Sequence, residues 1–178
     1  MPDNHCMDDG FCPPPLTTLA AFARETKRIR LGTGIIQVPT MHPRRHLEEA
    51  CIVDQMSNGR LTLGVGMGGH ELEYRAFGVP YKECGKLMDQ YLTFIKKGLA
   101  GEPLPDGMAL AGPPVQRPIP IIGGTKSLAG TERSARITDG NIATNHMDHE
   151  EQLAKFWKEW LSPRWRSMDA RCPNSSCL

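Results

Sequence analysis

The hydrophobic pattern of this chain alternates between helical and strand periods along most of its length. Residues 13–26 open on prolines and then place Leu16, Leu19, Ala20 and Ala23 at helical spacing. Prolines suit a first helical turn, whose N–H groups lack intrahelical partners anyway. Residues 29–38 are apolar and β-branched and predict a buried strand, in which Gly32 and Gly34 suggest a bulge or a close approach. A helix over about 43–56 should bury Leu47, Ala50, Cys51 and Val53 or Met56, and expose Arg44, Arg45, Glu48 and Glu49. The turn Ser57-Asn58-Gly59 ends it, and a strand over 60–66 runs into Gly64, Gly66, Gly68 and Gly69. A helix over 80–99 carries Met88, Tyr91, Leu92, Ile95 and Leu99 on one stripe. Residues 101–118 are rich in Pro and Gly and read as an excursion.

A short strand over 119–122 then ends in Gly123-Gly124-Thr125-Lys126-Ser127. A helix over 127–138, a weak strand over 141–144 and an amphipathic helix over 148–161 complete the pattern. No period continues beyond, so the chain divides into a domain over 1–161 and an irregular tail over 162–178.

Strands alternating with helices predict an α/β fold with parallel strands and outer helices. Right-handed crossovers place the C-terminal end of every strand on one rim. That rim would gather Gln37–Thr40, Gly66–Gly69, Gly123–Ser127 and Asn145-His146. Ligands bind there in open α/β sheets and in (β/α)8 barrels alike.

Composition narrows the function. The 178 residues carry a net charge of +1, which recommends neither nucleic acid nor a membrane surface as a partner. No apolar run approaches a membrane span. Six cysteines stand at 6, 12, 51, 84, 172 and 177 without a CxxC pair, which predicts reduced thiols and a cytoplasmic protein.

Four motifs carry candidate chemistry. Gly64-x-Gly66-x-x-Gly69 matches the dinucleotide fingerprint, but no strand ending in an acidic residue follows at the required distance, so a Rossmann site is the weaker reading and a tight turn a simple one. Gly124-Thr125-Lys126-Ser127 opens a helix, where N–H groups, hydroxyls and a lysine favour an anion. Plain capping by Ser127 is the alternative. His42 and His46 share a helix face without nearby carboxylates, and read as solvated histidines rather than metal ligands; no metal is expected. His5 precedes the first helix and is the acid/base candidate, with a frayed terminal histidine as the alternative. No nucleophile triad is visible, which suits a cofactor that brings its own chemistry.

Several linked motifs resemble the bacterial luciferase-like monooxygenases over roughly residues 3–145. They are Thr33-Gly34-Ile35-Ile36-Gln37-Val38-Pro39 with His42-Pro43, then Val53-Asp54-Gln55-Met56-Ser57-Asn58-Gly59-Arg60-Leu61, then Gly64-Val65-Gly66-Met67-Gly68 and Glu73-Tyr74-Arg75-Ala76-Phe77-Gly78. The resemblance implies a (β/α)8 barrel, present here in part, that binds reduced FMN or a deazaflavin at its C-terminal rim. It implies a small organic substrate, oxygen as co-substrate, or hydride transfer with the deazaflavin, and a flavin reductase as partner. The family's phosphate grip falls on Gly124, Thr125 and Ser127, helped by Met67 and Gly68. Its ring site falls near Gly34, Ile35 and Gly66, with a cis peptide at Gly34-Ile35. The family's Glu-His-His is Asp3-Asn4-His5 here, and its arginine after the strand-four glycines is Met67. A whole barrel of this type needs about 250 residues. The chain therefore reads as an incomplete barrel whose open edges invite a homo-oligomer, or else as a fragment without cofactor.

Overall fold

Five parallel strands organise the computed structural model, which describes residues 1–6, 14–110, 112–143 and 158. They are β1 (Leu31–Gly32), β2 (Ile36–Gln37), β3 (Leu61–Gly66), β4 (Ile121–Thr125) and β5 (Gly140–Ala143). The order is β1-β3-β4-β5, with β2 also paired to β3 further along it. Helices α1 (Pro15–Glu25), α2 (Pro43–Ser57), α3 (Glu71–Ala76), α4 (Cys84–Ala100) and α5 (Leu128–Ile137) form the connections. The sheet does not close into a barrel among the described residues. The predicted helix over 148–161, save for Lys158, lies outside the described residues, as do Asn145, His146, the tail over 162–178 and so the boundary at 161.

The helices start and stop as the residue types dictate. Pro15 and Pro43 occupy first turns, and the His42 ring accepts the Arg44 N–H at 3.3 Å as the N-cap of α2. Asn58 ends α2 in the left-handed conformation at φ 54°, which asparagine tolerates better than most residues. Leu16, Leu19 and Ala23 of α1, Leu47, Ala50 and Val53 of α2, and Leu92, Ile95 and Leu99 of α4 are buried. They pack with Leu61, Leu63 and Val65 of β3 and Ile121 of β4 in one core. Met56 faces outward, and Val53 takes the inner place.

The luciferase-like signature around α2 is explained by structure rather than chemistry. Asp54 is fully buried; its carboxylate accepts the N–H groups of Val115 and Gln116 at 2.7 and 2.9 Å, and the Gln116 side-chain amide at 2.7 Å. Ser57 Oγ accepts the Arg60 N–H at 3.1 Å. The Arg60 guanidinium donates to the carbonyls of Ala23, Thr26, Ile29 and Ser57 at 2.6–2.9 Å. These residues tie the end of α1 and the 113–116 excursion to the start of β3.

Three expectations need correction. The apolar run 29–38 forms two short pieces, not one strand, broken at Thr33–Ile35, where the Gly34–Ile35 peptide is cis. The strand predicted at 119–122 extends through the glycines to Thr125. His46 is 3 % exposed, not solvated: α2 turns it inward, and burial pushes its imidazole down to about 4. Helix α3 carried no predicted element at all.

Candidate functional site

All strand pairs are parallel, so their C-terminal ends meet on one side of the sheet. Gln37 pairs with Gly66, and Val65 with Gly123, which aligns the ends of β2, β3 and β4. A cavity of about 390 Å³ opens there, within the range of small-molecule sites. Gly34, Ile35, Gly66, Met67, Gly68, Gly124, Thr125 and Ser127 all line it. His5 does not: it borders a separate hollow of about 110 Å³, while Pro2, Asp3 and Asn4 face the main cavity.

The strand period decides which glycines do what. Leu61, Leu63 and Val65 are buried in the core, and Thr62, Gly64 and Gly66 occupy the opposite face of β3. On that face the 33–35 segment crosses. A Cβ on Gly64 would lie 2.0 Å from the Thr33 carbonyl oxygen. A Cβ on Gly66 or Gly124 would meet the Ile35 side chain at 2.9 or 2.6 Å. Bare backbone at these positions therefore admits the protein's own Ile35, rather than a ligand, into the groove between β3 and β4. The unobstructed backbone is at Gly34 and Gly69, where an added Cβ would meet nothing within 4 Å.

One end of the cavity is rich in donors. Ser127 caps α5, accepting the Gly130 N–H at 3.2 Å, and a hydroxyl that accepts one bond can still donate another. Thr125 Oγ1 lies 3.2 Å from Thr131 Oγ1, and Lys126 stands exposed beside them. Together with the positive end of α5, these groups suit an anion. Arg133, absent from the sequence prediction, also lines this end; Asp89 anchors its guanidinium at 2.8 Å, and that pairing holds the Asp89 carboxyl below its ordinary range.

The other end is rich in acceptors. Asp3 accepts the Gln37 N–H at 2.8 Å, and its second oxygen is 2.8 Å from His5 Nε2. The Gln37 side-chain amide donates to the Asp3 carbonyl at 2.9 Å. Glu73 accepts the His5 N–H at 2.7 Å. The His5 ring meets Phe77 edge-on at 4.7 Å, which turns it away from the cavity. Burial pushes the Asp3 carboxyl up, with Glu73 adding to it and the Gln37 bond and His5 opposing. Gln37 and Glu73 were not singled out from the sequence as site residues. Their signal is burial of a polar side chain at a strand end and on a short helix, which only the packed structure reveals. Among the described residues no group of three or more His, Cys, Asp or Glu could hold a metal.

Geometry and ancestry agree on a class. The luciferase-like monooxygenase family model matches residues 1–170, and the chain belongs to that family. It is 32 % identical over 102 residues to the oxygenase component of a flavin-dependent trigonelline monooxygenase from Acinetobacter baylyi, covering 56 % of this chain and 28 % of that one. It is 31 % identical over 97 residues to an alkanal monooxygenase alpha chain from a Kryptophanaron alfredi symbiont, covering 54 % of this chain and 27 % of that one. Among solved structures, the monooxygenase RslO1 from Streptomyces bottropensis superposes with a TM-score of 0.80 at 26 % identity, over 88 % of this chain and 51 % of that one. The oxygenating constituent of 3,6-diketocamphane monooxygenase from Pseudomonas putida, in complex with FMN, shares the fold with a TM-score of 0.68 at 17 % identity, over 80 % of this chain and 46 % of that one. The chain thus matches about a quarter of the curated relatives' length and about half of the solved structures'. No helix among the described residues is long and apolar enough to cross a membrane.

Proposed function

We propose that this chain is the flavin-holding part of a luciferase-like monooxygenase that oxygenates a small organic substrate with reduced FMN and O2. The observation that carries the reading is the cavity with opposed ends: hydroxyls, a lysine and a helix start at one, open backbone at Gly34 beside it. FMN fits these residues, since it presents an anion and a flat ring joined by a flexible chain. When bound, the flavin supplies the electrons that activate oxygen. Thr125, Ser127 and the first N–H groups of α5 would hold its phosphate, with Gly124, Met67 and Gly68 along the approach. Gly34 and Ile35 would support the ring, with Ile35 rather than bare Gly66 forming the floor. The same residues suit a deazaflavin; FMN is favoured by the flavin-dependent relative.

His5 handles the acceptor end indirectly, by holding the Asp3 carboxylate through Nε2. The partners that follow are the organic substrate, O2 and a reductase that delivers reduced flavin, since one relative is itself described as an oxygenase component. Reduced flavin supply and the free thiols of Cys6, Cys51 and Cys84 favour the cytoplasm. The test is FMN binding to the full chain by fluorescence quenching. Replacing Thr125 and Ser127 together by Ala is expected to weaken it by about 1–3 kcal/mol, the range for hydrogen bonds to a charged group. Unchanged affinity would move the phosphate elsewhere.

A further inference from the structure

Side chains alternate along β4, and the alternation gives the cavity a part on the helix side of the sheet. A Cβ on Gly124 would meet Ile35 at 2.6 Å, whereas one on Gly123 would lie 2.1 Å from Ser134 Oγ of α5. Gly123 and Thr125 therefore face α5. Met88 and Leu92 of α4 line the cavity from that side, and so does Arg133 of α5.

Arg133 is held along one edge of its guanidinium. Nε and Nη2 donate to the two Asp89 oxygens at 2.8 and 3.2 Å, and Nη2 also reaches the Gly85 carbonyl at 3.3 Å. Among the described residues nothing accepts from Nη1. The side chain is 11 % exposed, and Nη1, unlike the second oxygens of Gln37 and Glu73, is not sealed from solvent. Gly130 indicates what that open edge can reach. It precedes Arg133 by three residues on the same face of α5, and helical side chains lean toward the N-terminus over such a position. A Cβ at Gly130 would lie 3.1 Å from Thr125 Cβ and 3.2 Å from Ser127 Oγ. The absent side chain leaves the guanidinium and both hydroxyls around one space. Asp89 also accepts from Arg136 at 3.1 Å, so one carboxylate serves two guanidiniums and the cluster keeps a net positive charge.

We propose that Arg133 is the fixed cation of the anion site, with Nη1 donating to the same phosphate monoester as Thr125 and Ser127. Asp89 orients the planar fork in advance, so little side-chain freedom is lost when the phosphate arrives. Naming that phosphate as the one on FMN rests on the flavin reading.

The experiment uses the full chain with FMN and riboflavin, followed by flavin fluorescence, and with phenyl phosphate, followed by phosphorus NMR. Arg133→Ala should weaken FMN and phenyl phosphate at least about tenfold each and leave riboflavin within about threefold, as loss of a charge-assisted bond requires. Arg136→Ala is the control: it shares Asp89, is 68 % exposed and does not line the cavity, and should leave all three ligands within about threefold. Arg133→Gln keeps length and polarity without charge, and carries the test with the same expected losses if the alanine variant does not fold. Equal weakening of FMN and riboflavin overturns the proposal, as does an Arg136→Ala loss equal to that of Arg133→Ala. Phenyl phosphate that does not bind the unaltered chain, or binds both Arg133 variants as well, also overturns it. A chain that binds neither flavin but loses phenyl phosphate in both variants keeps Arg133 as an anion ligand and removes the flavin.

Discussion

Asp54→Ala is expected to cost about 1.5–3 kcal/mol or more of stability, read as a shift in the urea midpoint, because it removes a buried acceptor and strands its donors. The carboxylate is fully buried and accepts three N–H bonds from Val115 and Gln116. Without it, two backbone donors and an amide of the half-buried 115–116 segment lose their partner. The same amide also donates to the Leu61 carbonyl at 2.8 Å, so the loss reaches the first residue of β3. Asp54→Asn should fall between, since the amide oxygen still accepts while its NH2 faces donors. A loss below about 1 kcal/mol for the alanine variant would show that the 113–116 segment is not held by this residue.

Gly64→Ala is the second large effect. Its added methyl would lie 2.0 Å from the Thr33 carbonyl oxygen and 2.9 Å from the carbonyl carbon. These are backbone atoms, so no side-chain rotation relieves the clash. The Thr33 hydroxyl also donates to the Gly64 carbonyl at 2.7 Å, which fixes the two segments together. Relief requires the 33–35 crossing to lift off β3, at about 3 kcal/mol or more, the upper range for overpacked cores. Because Gly34 and Ile35 ride on that crossing, the variant should also lose flavin affinity. A fully stable Gly64→Ala protein would contradict the close approach.

Much of this architecture was legible from residues alone, for reasons that can be named. The alternation of strand and helix periods was enough for parallel order and a common rim, because chirality leaves crossovers little freedom. Ser127 was legible as a cap because serine before a helix has a specific hydrogen-bonding use, and it accepts the Gly130 N–H as that use requires. The broken strand was legible in part: Gly32 and Gly34 marked a bulge, and the resemblance implied the cis peptide found at Gly34–Ile35, but the split into two short strands carried no hydrophobic signal. Helix α3, six residues long, is too brief for a periodic signal, and so Glu73 was unplaced. The glycines of β3 and β4 were read as bare backbone open to a ligand, with Gly66 at the ring site; the neighbour at Gly66 and Gly124 is Ile35 of the same chain, which no local pattern announces. The direction of the His5 ring was not legible, because it is set by Phe77, far away in sequence.

The central claim is that an anion docks at the start of α5 while a flat ring lies over the Gly34–Ile35 crossing. The most direct test measures FMN and riboflavin side by side on the full chain, by quenching of flavin fluorescence. The two ligands share the ring and differ in the phosphate. FMN should bind at least about tenfold tighter, and the Thr125 and Ser127 double alanine variant should close most of that gap. Equal affinity for the two flavins, or no affinity for either, would contradict the account.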